Sequence, residues 1–142
     1  MSIAENIVNE ARTWKNTRFV HQGRLKQIGV DCVGFISEVA KNAGVLGIDI
    51  PSDYRPHEDG EIMLRLLRDH LELVDEMQPG DVIALCDEAL QNEDIPRHLA
   101  IVTEVKPHTT FVIHASQHGV REHRMDGQWL KRIHSIWRIK HA

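Results

Sequence analysis

Cysteine is scarce in this chain, with two among 142 residues. A domain of that length with so few thiols is not built like a disulfide-stapled secreted scaffold, and both are expected to be reduced. Long apolar runs are missing as well: nothing approaches the roughly 18 consecutive apolar residues that a membrane-spanning helix needs. The opening MSIAENIVNEARTWK carries acid where a signal peptide has a basic start and an apolar centre. The expectation is a chain without signal peptide or membrane partner, cytoplasmic when made. Basic excess is also lacking. A net charge of −4 speaks against nucleic acid as partner, since phosphates call for Lys and Arg in surplus. The basic stretch WLKRIHSIWRIK reads as solvated surface. Repeats, low-complexity segments and linkers are absent, and 42% hydrophobic residues suffice for a core, so residues 1–142 are expected to form one domain.

Several catalytic signatures are missing too. There is no H-E-x-x-H, no C-x-x-C and no G-x-S-x-G, and His114 with His118 makes only a loose H-x-x-x-H. The expectation is no metal, no cofactor and no serine nucleophile. What remains is a surplus of histidine, ten in all, so proton transfer has to be weighed at each one.

Helices come first. Ser2 and Glu5 make a capping-box pattern, and Ile3, Ile7, Val8 and Ala11 recur at helical spacing toward Trp14. Residues 17–30, with two glycines and no sustained period, read as an irregular loop. Asp31 then suits an N-cap, Cys32 the first helical position and Gly44 the stop. Cys32, Ile36, Val39, Ala40 and Ala43 share one face. IDIPSDYRPHEDG reads as a turn-rich connection, and EIMLRLLRDHLE as a helix with Ile62, Leu66, Leu67 and Leu71 on its stripe. After Gly80 the texture becomes β: DVIALC, HLAIVTEV, TTFVIHA and SIWRI suggest an antiparallel sheet, with an acidic loop at 87–96. This segregation predicts an α+β fold, N-terminal helices packed on a C-terminal antiparallel sheet.

At a helix start, Cys32 feels unpaired N–H groups and a partial positive charge that favour the thiolate, while Asp31 opposes them. Position alone leaves the direction open. His98 opens one strand and His114 closes the next, so an antiparallel pair sets them side by side; each also reads as a satisfied core histidine. A packed-in helix tip is the plain meaning of Cys32. Cys86, in a strand without companions, reads as structural. Asp31 reads as a cap before a charge, and Trp129 and Trp137 as closing the core. His21, Gln22 and Arg24 precede Cys32 on a loop, where Arg24 suits a carboxylate and a solvated loop is the equal alternative.

GVDCVGF, PGDVIAL, RHLAIV, VIHAS and GVREHRMDGQWLKRI, in this order and from about Trp14 onward, resemble the NlpC-type family of cell-wall cysteine peptidases, which have a papain-like core. HQGRLKQIGVDC is most similar to small stand-alone members encoded in phage tail gene clusters and gene-transfer particles. The resemblance implies Cys32 as nucleophile, His98 as general base and His114 as the residue orienting His98. It implies an endopeptidase or amidase cutting peptidoglycan stem peptides, typically between D-glutamate and a diamino acid. Partners would be peptidoglycan peptides and tail or particle proteins, with delivery in a virion or release on lysis. Phe19, His21, Arg24 and Asp31 would stand at the substrate. Phe19 replaces a tyrosine common in the family, and Val33 a serine. Two alternatives stand beside this: a tail-assembly or structural protein that keeps the fold without turnover, and an acyltransferase or transamidase whose thioester is captured by an amine.

Overall fold

Ser2 accepts a hydrogen bond from the Glu5 amide while the Glu5 carboxylate accepts one from the Ser2 amide, and this closed box starts α1 (Ile3–Arg12). The computed structural model describes residues 2–45, 60–87 and 95–140. In it α1 buries Ile7, Val8 and Ala11, the stripe expected from their spacing. The loop that follows folds into a small antiparallel hairpin, β1 (Arg24–Leu25) and β2 (Gly29–Val30), which leads directly into α2 (Cys32–Asn42). Asp31 is the N-cap of α2, and Gly44 ends the helix at φ +94°, a left-handed conformation that glycine adopts without penalty.

The buried surface of α2 is wider than the single face predicted. Val33, Gly34, Phe35 and Ser37 are covered along with Cys32, Ile36, Val39 and Ala40. The reason is position: α2 is wrapped by α1, by the hairpin and by the sheet. Gly34 marks the closest approach. A Cβ there would stand 2.5 Å from the Gly23 carbonyl oxygen and 3.0 Å from Asp31 Oδ1, so only glycine lets the first turn press against the hairpin.

α3 (Gly60–His70) buries Leu67 as anticipated and also Met63, which the expected stripe did not include, while Leu66 is only partly buried. Leu71, expected on the same helix, instead begins β3 (Leu71–Val74), because its backbone pairs with Ile139. Among the described residues that follow are β4 (Val82–Cys86), β5 (Pro96–Lys106), β6 (Thr109–Ser116), β7 (Gly119–Arg124), α4 (Gly127–Arg132) and β8 (Ile133–Ile139). Among the described residues these strands form an antiparallel sheet in the order β3-β8-β4-β5-β6-β7. β3 and β7 were not foreseen as strands. Both lie at the sheet's edges, where one side of the ladder is open and a polar run such as GVREHR is tolerated. Of the turn-rich connection only Gly60 is described, and 88–94 of the acidic loop also lie outside the described residues.

Strand alternation divides the core in two. The larger cluster sits between the helices and one sheet face and includes Trp14, Cys32, Phe35, Leu99, Ile101, Ile113, Val120 and Trp137. The smaller includes Ile83, Leu85, Ala100, Val102, Val112 and Met125 on the other face, with Trp129 and Ile133 packed against it. Asp81, buried ahead of β4, accepts two hydrogen bonds from the Arg138 guanidinium at 2.9 Å each, which ties β8 to the entry of β4. The architecture is the α+β one expected: helices on one face of an antiparallel sheet.

Candidate active site

Asp31 Oδ1 accepts from the Gly34 amide at 2.8 Å, and Oδ2 accepts from the Gln22 amide at 2.7 Å. With 2% of its surface exposed, the residue both caps α2 and ties the preceding loop to it. Cys32 follows as the first residue of the helix, 1% exposed. Burial, and then the charge of Asp31, push its thiol up to about 12, against the backbone N–H groups of Leu99, Val33 and Cys32 itself, which favour the thiolate. The direction that position alone left open is therefore upward. The resting sulfur keeps its proton, and any chemistry at it needs a base.

The pull from Leu99 locates the thiol against β5, and the residue before Leu99 is His98. His98 Nε2 lies 2.7 Å from His114 Nδ1, so the strand-end pair inferred from sequence is in direct contact. The row continues. His114 Nε2 lies 2.9 Å from His123 Nε2, and His123 Nδ1 lies 2.9 Å from the Arg124 carbonyl oxygen. Sheet register explains it. β6 and β7 pair Val112 with His123 and His114 with Arg121, so His114 and His123 are diagonal neighbours on one face. β5 and β6 pair Ile101 with Ile113; extending that register sets Ala100 opposite His114 and His98 diagonal to it. His114 is 7% exposed. Burial first, then His98, His123 and Arg132, hold it down to about 2, so it is neutral at ordinary pH.

His98 and His114 open into a cleft of about 330 Å³, also lined by Phe19, Asp87, Arg97, Ala115–Gln117, Trp129 and Arg132. Phe19 packs against the larger core cluster and Trp129 against the smaller, so the cleft lies at the end of the sheet where the two faces meet. Leu99 and Cys32 belong to the helix side of β5, while alternation turns His98 to the other. The imidazole of His98 lines the cleft, whereas the Cys32 thiol, buried on the helix side, is not among its lining residues.

Of the residues expected at the substrate, Phe19 is in the cleft. His21 is a 51% exposed side chain 3.9 Å from Asp31 Oδ2, Asp31 is enclosed as a cap, and Arg24 stands on the hairpin against Gly34. Trp137 closes the core as expected. Trp129 does so only in part: its ring meets those of His114 and His123 edge-on, both at 4.7 Å and 71°, and forms a cleft wall. Arg132 stacks 5.6 Å over Trp129 and donates from Nε to the Cys86 carbonyl at 2.8 Å. Sequence reading overlooked His123, Arg97 and Arg132. Recognising GVREHR as a strand beside VIHAS would have turned His123 toward His114. Among the described residues no three His, Cys, Asp or Glu side chains are grouped to hold a metal ion, and no helix is long and apolar enough to cross a membrane.

Solved structures share this arrangement of elements. An NLP/P60 family protein described as similar to lipoprotein, from Staphylococcus aureus, superposes with TM-score 0.70 at 20% identity over 99% of this chain and 42% of its own. A Bacillus cereus NlpC/P60 family protein gives 0.67 at 20% identity, over 96% of this chain and 40% of its own. The NlpC/p60 domain of the peptidoglycan hydrolase SagA gives 0.58 at 23% identity, over 96% of this chain and 97% of that domain. The chain thus spans about two fifths of the first two structures and nearly all of the third. No curated protein matches it in sequence. The NlpC/P60 family model matches residues 16–138, a span that takes in the hairpin, the Cys32 helix and the strands of the sheet short of the last residue of β8, and the chain belongs to the NlpC/P60 family.

Proposed function

We propose that this protein is a cysteine peptidase of bacterial peptidoglycan stem peptides, with Cys32 as nucleophile, His98 as general base and acid, and His114 orienting His98. The observation that carries the reading is the contact between His98 and His114 at the mouth of a cleft, next along the strand from the residue whose amide meets the Cys32 sulfur. Membership of the NlpC/P60 family supports it, as does the name of SagA, a peptidoglycan hydrolase of the same fold.

In this mechanism the Cys32 thiol, neutral at rest, gives its proton to His98 as the sulfur attacks the scissile carbonyl. The tetrahedral oxyanion is held by the backbone N–H of Cys32, at the positive end of α2. Imidazolium at His98 protonates the leaving amine, a thioester remains on Cys32, and water activated by His98 releases the acid. Arg97 and Arg132 suit the carboxylates of an acidic stem peptide, and Asp87 suits its amines. The phage-tail or gene-transfer-particle association rests on the resemblance of HQGRLKQIGVDC; mass spectrometry of purified particles tests it, and a protein confined to cytoplasmic fractions would contradict it.

Digestion of purified muropeptides, followed by mass spectrometry, tests the peptidase reading. The wild type should convert one substrate peak into two fragments that define the bond, and Cys32→Ala and His98→Ala should leave it intact. The near-complete burial of Cys32 favours a second reading, a tail-assembly protein that keeps the fold without turnover. Under that reading the wild type leaves the muropeptides intact too. Products joined to an added amine instead of hydrolysed would mark a transamidase.

A further inference from the structure

The row of imidazoles does not end at the residue that orients the base. Its far end is a backbone carbonyl, and a carbonyl oxygen only accepts. His123 must therefore carry its proton on Nδ1, where it donates to the Arg124 oxygen at 2.9 Å, which leaves His123 Nε2 an acceptor. His114 then donates from Nε2 across 2.9 Å, which makes His114 Nδ1 an acceptor. His98 in turn donates from Nε2 across 2.7 Å, and its Nδ1 carries no proton. With all three rings neutral, each assignment forces the next. From this sequence of contacts we infer that His123 is a positioning residue that fixes the tautomers of His114 and His98, so that His98 presents an unprotonated Nδ1 as the base. The inference rests on the reading of His98 as the base toward Cys32.

Reversal of one proton shows what is at stake. With a donor in place of the His123 acceptor, His114 would have to accept at Nε2 and donate from Nδ1. His98 would then accept at Nε2 and carry its proton on Nδ1, where no thiol proton can be taken up. The ring would be in place, and the base would be gone. In a Ser-His-Asp triad the wrong imidazole tautomer lowers kcat by about 10⁴ with geometry intact. Trp129 packs edge-on against both His114 and His123 at 4.7 Å, a wall that hinders water from replacing the missing acceptor.

The test uses two variants and two readouts. His123→Gln keeps an acceptor oxygen near the position of Nε2, whereas His123→Leu removes it and fills the space. Long-range proton–nitrogen NMR of histidine-labelled protein reads the tautomers directly. The wild type should show Nε2–H at His98 and His114, and Nδ1–H at His123. His123→Leu should lose the single tautomer at His114 and lower kcat on muropeptides by about 10-fold or more with KM little changed. His123→Gln should retain the wild-type tautomers and stay within a few-fold in kcat. Nδ1–H at His98 in the wild type, or wild-type tautomers in a folded His123→Leu, would overturn the inference. A wild type with the stated tautomers but no turnover would instead strike the peptidase reading and leave the role of His123 in setting the tautomers standing.

Discussion

Asp31 offers the sharpest single perturbation, because two opposed effects meet in one carboxylate. It accepts buried hydrogen bonds from Gln22 and Gly34 at 2.7 and 2.8 Å, and its charge raises the neighbouring thiol. A hydrogen bond to a charged group contributes about 1.5–3 kcal/mol, so Asp31→Ala, which strands both amides, should cost about 3–5 kcal/mol. Asp31→Asn keeps the Gly34 bond through its carbonyl but turns an amide toward the Gln22 N–H, and should cost about half as much. Both variants remove the negative charge, so the Cys32 thiol should titrate lower in each. Urea unfolding followed by tryptophan fluorescence measures the first effect, and alkylation of Cys32 across a pH series, with Cys86 as internal reference, measures the second. Wild-type stability in both variants would refute the assigned cap. Unchanged or higher titration of Cys32 would refute the electrostatic assignment.

Other predictions follow from the same geometry. His114 is held neutral down to about 2 against an ordinary 6.5, by burial first and then by His98, His123 and Arg132. Below pH 6.5 the unfolded chain therefore binds a proton that the native state refuses, and stability falls as pH drops, by up to about 1.4 kcal/mol per unit, with the contribution fully present above that pH. His114→Asn should flatten this slope in urea titrations at pH 5–7, and an unchanged slope would contradict the assignment. Gly34→Ala should cost about 1–3 kcal/mol by forcing the hairpin away from α2, read as a lowered Tm; wild-type melting would show that the approach to Gly23 is not tight. Arg138→Ala, which leaves buried Asp81 without its guanidinium, should cost about 2–3 kcal/mol after allowance for the partial exposure of the arginine. Adding Asp81→Asn should recover part of that loss in the same unfolding assay.

Residues governed by local rules were legible before any coordinates. Ser2, Asp31 and Gly44 announce helix ends through their own backbone chemistry, and all three stand where the spacing put them. The contact of His98 with His114 was legible because both lie near the ends of strongly β-forming segments joined by a short turn. Legibility failed where pairing, not propensity, decides. GVREHR is polar and becomes a strand only because β6 offers its edge, so His123 passed unnoticed. Leu71 continues a helical stripe by spacing yet pairs with Ile139. Likewise, nothing in the spacing around Cys32 reveals that α2 is covered on nearly every side, which is what drives its thiol up rather than down. For His21 and Arg24 proximity in sequence left cleft and solvated loop as equal readings; the Asp31–Gln22 tie holds that loop to α2, and neither residue lines the cleft beside His98.

The central claim is that Cys32 carries the acyl group. Rapid acid quench of the enzyme with excess muropeptide, then tryptic digestion and mass spectrometry, tests it most directly. The account predicts a stem-peptide adduct on the fragment containing Cys32, lost in Cys32→Ala together with turnover, and none on the fragment containing Cys86. Turnover that survives in Cys32→Ala, or an adduct at a different residue, would contradict it.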